Sequence, residues 1–234
     1  MRLILFLSLL LASHAALAQT CPEPLAGAHK LVLVTPETWT SGTAEVQRFT
    51  RASAKENWQP DGGPVSALVG LRGVGWSVSF RRLAQSGEPV KQEGDARAPA
   101  GFFKIGRSFG FAASSLRNYL QLQPDTVCVS DLRSPAYNTI SSRDIVGPET
   151  RAENMRRVSI YRNGLLVDYP ADAKNRAGSC IFIHIRRPGA KGTSGCVAVP
   201  EHDVERLQNF SVGGAVLAVL PKPALGRFAA CVPH

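Results

Sequence analysis

Eight short runs rich in β-branched residues punctuate the chain. They are KLVLVT (30–35), VSALVG (65–70), GWSVSF (75–80), VSIYRN (158–163), LLVDY (165–169), CIFIHI (180–185), CVAV (196–199) and AVLAVL (215–220). Runs of about four to six residues have the length of strands and are too short for most helices. Strands at this spacing, with few helices between them, predict a mainly β fold, a sandwich or a barrel. Asn163-Gly164 between two of the runs predicts a hairpin. Two helices are expected. In 43–57, Val46, Phe49 and Ala52 fall at helical spacing, with Trp58 closing that face. In 201–210, which follows a proline, Val204 and Leu207 share one side and charges the other. The stretch 84–157 is rich in Gly, Pro, Ser and Asn but keeps returning to aromatic residues, so it reads as long ordered loops on the β scaffold.

The first residues have the pattern of an export leader. Arg2 is followed by an apolar run, Leu3 to Leu11, and Ala16-Leu17-Ala18 offers small residues for cleavage before Gln19. This divides the chain into a leader (1–18), an N-terminal extension with a helix packed on the domain (19–64) and the main domain (65–234). The apolar run is short for a bilayer of about 30 Å, and no later run of about 20 apolar residues follows, so no lasting membrane insertion is expected. The formal charge is +9. Export makes nucleic acid the least suitable anionic partner, leaving lipid, an anionic wall polymer or plain solvation of the surface. Five cysteines are present. In an oxidising compartment four can pair, and the fifth is then reactive or buried.

The densest chemistry lies in GSCIFIHIRRPGAKGTSGCVAV (178–199). If CIFIHI is a strand, alternation puts Ile181, Ile183 and Ile185 on the core face, and Cys180, Phe182, His184 and Arg186 on the other. Cys196 and Ala198 likewise share a face of CVAV. Pairing of the two strands around 186–195 puts His184 and Cys196 side by side, with Cβ atoms about 5 Å apart. An imidazole at that range takes the proton of a thiol whose ordinary pKa is about 8.5. Gly195 allows close approach of the backbone, and the N–H groups of Gly195 and Cys196, with Ser194 or Val197, suit an oxyanion. The competing reading is a core histidine and half a disulfide. A Cys180–Cys196 bridge fits poorly, because Cys180 stands about 13 Å before His184 along an extended strand. His before Cys, with eleven residues between, excludes the papain-like order. His29, His202 and His234 are scattered and form no zinc cluster. Tyr137-Asn138 suits a groove wall or a turn, and Asp95 with Arg97 suits a local ion pair.

GSCIFIHI…GTSGCVAV resembles the catalytic motif of the YkuD-type L,D-transpeptidases, in which a histidine precedes a Ser/Thr-x-Gly-Cys segment. EGDARAPAGFFKIG (93–106) resembles that family's Gly-rich TP-x-G segment. YLQLQPDTVCVSD…SPAYN and GLLVDY/GSCIF resemble the branch with a small residue before Gly-Cys. The resemblance spans roughly 65–220. It implies a mixed β-sandwich with a few short helices and long loops. It also implies an exported cysteine transpeptidase of the periplasm or cell envelope, acting on peptidoglycan stem peptides without a cofactor or metal. Cys196 would be the acylated nucleophile and His184 its base, with an oxyanion hole at Ser194, Gly195 and Cys196. Ser194 and Ala198 stand where many members carry His and Arg, and the His–Cys loop is shorter than in many. Arg97, Arg186 and Arg187 are candidates for the displaced positive charge, and Tyr137 for the groove. With Cys196 free, Cys21, Cys128, Cys180 and Cys231 allow three pairings, of which Cys128–Cys180 with Cys21–Cys231 is preferred. The same thioester passed to water gives an L,D-carboxypeptidase or amidase, and an inert copy gives a wall-binding module.

Overall fold

The computed structural model describes residues 21–233. The expected leader, 1–18, lies outside them. Fourteen strands are formed among the described residues. The first seven are β1 (Lys30–Pro36), β2 (Thr43–Thr50), β3 (Gln59–Pro60), β4 (Val65–Leu68), β5 (Val74–Trp76), β6 (Ala98–Gly110) and β7 (Leu120–Gln121). The rest are β8 (Thr126–Val129), β9 (Ile140–Ser142), β10 (Ala152–Asn154), β11 (Asn163–Val167), β12 (Phe182–Ile185), β13 (Val197–Val199) and β14 (Val216–Val219). The helix Glu201–Phe210 falls where its spacing predicted it.

The mainly β expectation holds, and the sheet closes on itself. Its order runs β1-β14-β6-β11-β12-β13-β4-β2, and β2 pairs back to β1. Closure leaves these strands without a free edge on the main path. The long strand β6 makes it possible. Gly101 to Lys104 pair with β14, while Ile105 to Gly110 pair with β11, so one strand spans two neighbours as the sheet curves. Leu31 to Val34 of β1 are all buried, as expected of a strand in a parallel pair with β14 and covered on both faces.

Several local expectations differ from the structure. Residues 43–50 form β2, not a helix: Ala44 and Val46 are buried while Thr43 and Glu45 are exposed, a period of two that seven cross-strand pairs with β1 reinforce. The expected boundary at 64 therefore runs between two strands of one sheet, since β2 pairs with β4. Residues 159–162 form a 3-10 turn rather than a strand, and Asn163-Gly164 opens β11 rather than a hairpin. A Cβ at Gly164 would stand 2.2 Å from Phe109 Cζ, so this glycine admits a ring instead of making a turn. Within 84–157, read as loops, lie the thirteen residues of β6 and the small sheet β10-β8-β9.

That small sheet covers the outside of the barrel and creates a second core. Ile181, Ile183, Ile185, Val197 and Val199 point inward to the main core. Phe182 and Cys196 point outward, into a cluster with Phe109, Cys128, Met155 and Tyr161. Edge-to-face contacts join Phe109, Tyr161 and Phe182, at 5.4–6.1 Å between centroids. Such pairs contribute about 1 kcal/mol each beyond their buried area. The disulfide Cys128–Cys180 pins β8 to the entrance of β12, and Cys21–Cys231 joins the two ends of the described chain.

Candidate active site

Cys196 is the one free cysteine among the described residues, and it is buried. The turn before it is held at both sides by one hydroxyl. Thr193 Oγ1 accepts the Gly195 N–H at 3.0 Å and donates to the Cys196 carbonyl at 2.7 Å. Gly195 has φ +152°, and a Cβ there would lie 3.0 Å from the Arg97 carbonyl oxygen, so the position is closed to other residues. The connection from β12 to β13 is not the hairpin that the sequence suggested. The two strands are parallel, and Thr193 runs back along Val69 and Leu71 through backbone hydrogen bonds of 2.8 Å.

Parallel pairing sets the register of the dyad. Ile183 faces Val197 and His184 faces Ala198, which leaves Cys196 beside Phe182. The Phe182 N–H donates to the Cys196 sulfur at 3.4 Å, and the thiol donates to the Cys180 carbonyl at 3.4 Å. His184 and Cys196 are thus diagonal neighbours on the outward face, about 7 Å apart by strand geometry rather than directly opposite. The Tyr161 ring meets the His184 ring edge-on at 5.5 Å and packs on Phe182, in the same buried cluster as Cys196.

His184 Nδ1 lies 2.9 Å from the Ile185 carbonyl. A carbonyl only accepts, so Nδ1 carries the proton and Nε2 keeps its lone pair in the neutral ring. Burial pushes the ring down to about 4, the Ile185 carbonyl opposes this, and the positive charge of the exposed Arg187 adds to the depression. Burial pushes the Cys196 thiol up to about 12; the Phe182 N–H opposes it, Glu153 raises it further and Lys91 lowers it. Base and nucleophile both rest uncharged at neutral pH.

Cys196 lines a cleft of about 490 Å³ whose walls include Lys91, Glu93, Arg151, Glu153, Tyr161 and Ser194. Cys180, also in the wall, has φ +57°. Its unusual backbone is held by the disulfide and by its N–H, which donates to Asn138 Oδ1 at 3.0 Å. Tyr161 donates to Glu153 Oε2 at 2.8 Å. Lys91 is buried, with its ammonium on Asp95 and the Gln92 carbonyl.

Some of the residues singled out in the sequence lie elsewhere. The Arg97 guanidinium binds the carbonyls of Trp39, Arg72 and Val74, outside the cleft wall. Asp95 takes its backbone N–H and the Lys91 ammonium, so no Asp95–Arg97 side-chain pair forms. Arg186 reaches Ser66 at 3.3 Å on the surface. Tyr137 is buried behind the cleft, where its hydroxyl donates to Glu93, which also accepts from Ser179 at 2.9 Å. Gly195's N–H is committed to Thr193, which removes it from the expected oxyanion hole. The N–H groups of Ser194 and Cys196 have no partner among the described residues. Glu153, Lys91 and Tyr161 escaped the sequence reading, because no spacing or motif marks residues that distant segments bring beside the thiol; Lys91 is buried, whereas Glu153 is exposed on β10.

No protein family and no curated protein matches the sequence. Among solved structures, the chain is similar to the helical cell shape determining protein Pgp2 from Campylobacter jejuni, with a TM-score of 0.44 and 15% identity. The alignment covers 86% of this chain and 52% of that one, so the chain spans about half of its length.

Proposed function

We propose that the protein is an exported cysteine acyltransferase, an L,D-transpeptidase of peptidoglycan stem peptides. One observation carries the reading: of five cysteines, only Cys196 is left as a thiol, and it sits on the same outward face as His184 at the wall of a cleft. The substrate class rests on the resemblance of the His…Thr-Ser-Gly-Cys motif. The two disulfides suit an oxidising compartment, the periplasm or cell envelope. No helix among the described residues is long and apolar enough to cross a membrane.

In this reading the thiol proton leaves the Cys180 carbonyl for His184 Nε2 as the sulfur attacks the peptide carbonyl carbon. The N–H groups of Ser194 and Cys196 receive the developing oxyanion. Collapse breaks the C–N bond, the amine leaves with the proton from His184, and a thioester remains. An acceptor amine then attacks the thioester, and the thiol regains its proton. Because both groups rest neutral, proton transfer accompanies attack rather than preceding it.

Purified stem-peptide muropeptides test this. The protein should form cross-linked dimers, and Cys196→Ala should lose about a thousandfold or more in rate. Shortened stems without dimers would move the acceptor role to water. No conversion by folded wild-type protein would overturn the assignment.

A further inference from the structure

The two strands that flank His184 offer its ring little to lean on. Its partner on β11 is Gly164, and its partner on β13 is Ala198. Cross-strand neighbours are what ordinarily hold a strand side chain in one orientation. The ring that meets His184 comes instead from outside the sheet. Tyr161, in the 3-10 turn Ser159–Arg162, stands 5.5 Å from it, with the two rings at 73°. We infer that Tyr161 is a positioning residue of the dyad, which keeps the His184 ring from turning and so keeps Nε2 available to the thiol. Its effect on rate rests on the acyltransferase reading; its effect on the ring does not.

The backbone alone is a weak hold. The Ile185 carbonyl accepts from Nδ1 at 2.9 Å. One hydrogen bond favours one orientation only about fivefold. A half-turn about the Cβ–Cγ bond would put a carbon where each nitrogen stands, and the thiol would have no acceptor. Tyr161 prevents that turn only if it is itself fixed, and it is held from several sides. It is buried, and Phe109 and Phe182 meet its ring edge-on at 6.1 and 5.4 Å. Its hydroxyl donates to Glu153 at 2.8 Å. Its N–H donates to the Val158 carbonyl at 2.9 Å, and the Arg162 carbonyl accepts from the Phe111 N–H at 3.1 Å. The Arg162 guanidinium donates to Glu201, at the start of the helix Glu201–Phe210.

The small sheet reaches both members of the dyad from one register position. Glu153 of β10 pairs with Cys128 of β8. Glu153 holds the hydroxyl of Tyr161, whose ring meets His184. Cys128 is bonded to Cys180, whose carbonyl accepts from the Cys196 thiol.

Imidazole 15N NMR on the full protein, with steady-state kinetics on stem-peptide muropeptides, tests the role. In wild type, His184 should show one tautomer, Nδ1–H, with cross-relaxation between its ring protons and those of Tyr161. Tyr161→Leu removes the ring. Tyr161→Met also removes it while filling more of the space, and replaces the leucine variant if that one does not fold. The folded ring-less variant should show both tautomers. Its kcat should fall about tenfold or more with KM within about twofold, because the ring orients the base and does not bind substrate. Tyr161→Phe keeps the ring, and should return the single tautomer and a kcat within about threefold of wild type. Mixed tautomers or no cross-relaxation in wild type, a single tautomer in the ring-less variant, or a phenylalanine variant as slow as the ring-less one overturns the inference. The NMR measurement needs no substrate. A wild-type protein that converts no muropeptide would therefore sink the acyltransferase reading, while the tautomers still decide whether Tyr161 holds the ring.

Discussion

Cys196 and His184 are 7% and 5% exposed, and that burial shifts each away from its charged form. For His184 the consequence reaches stability. The free imidazole titrates near 6.5 and the folded one near 4, so below pH 6.5 the unfolded chain binds a proton that the folded chain refuses. This contribution is fully present above pH 6.5 and is lost as the pH falls toward 4, to the extent of about 3 kcal/mol. Denaturant titrations from pH 7 to pH 4 should therefore show a steeper decline for wild type than for His184→Gln; equal slopes would contradict a buried neutral ring. Glu153 gives a second test. Its negative charge helps to hold the thiol up, so Glu153→Gln should move the pH profile of iodoacetamide alkylation at Cys196 to lower pH. An unmoved profile would remove Glu153 from the thiol's surroundings. Sequence alternation was enough to put Cys196 and His184 on one face. It did not reveal Tyr161 and Glu153, because their approach depends on how the segment around β10 folds back over β12.

The alternation of CIFIHI was legible because one face of β12 meets a continuous apolar core, which leaves a one-residue slip no place to go. The pairing of that strand was less legible. A loop of this length suits a hairpin, yet the segment around Thr193 pairs with Val69 and Leu71 and delivers β13 in parallel. The stretch 43–57 misled for a related reason: Val46, Phe49 and Ala52 fit a helix, and only the partner strands, β1 and β4 among them, favour the extended form. At this scale the disulfide Cys128–Cys180 carries a prediction. It closes a separation of 52 residues and pins the small sheet over Phe182 and Cys196. Cys128→Ser with Cys180→Ser should lower stability by about 4 kcal/mol in the chain-entropy model. It should also speed alkylation of Cys196 at neutral pH, because the cover of the thiol is loosened. A variant that loses stability with an equally slow thiol would show that the small sheet stays seated without the bond.

Closure of the barrel makes the N-terminal strands part of the whole. β1 is held between β14 and β2, and β2 connects it to β4, so their removal would bare two strand edges and much of the core. A chain beginning at residue 65 should give no dispersed NMR spectrum, and a well-folded one would restore an independent domain there. The mainly β class was readable from short strands alone; the closed sheet was not, because it depends on β6, whose Gly-rich sequence reads as loop. Across the molecule, two disulfides consume four cysteines and leave one thiol beside a histidine with a free Nε2. The most direct test of that arrangement as an acyl-accepting site is intact-protein mass spectrometry after exposure to a carbapenem. A stable adduct of one drug molecule is expected, mapped to Cys196 and absent in Cys196→Ala. An unmodified thiol in folded wild-type protein, or an equal adduct on the variant, would contradict it.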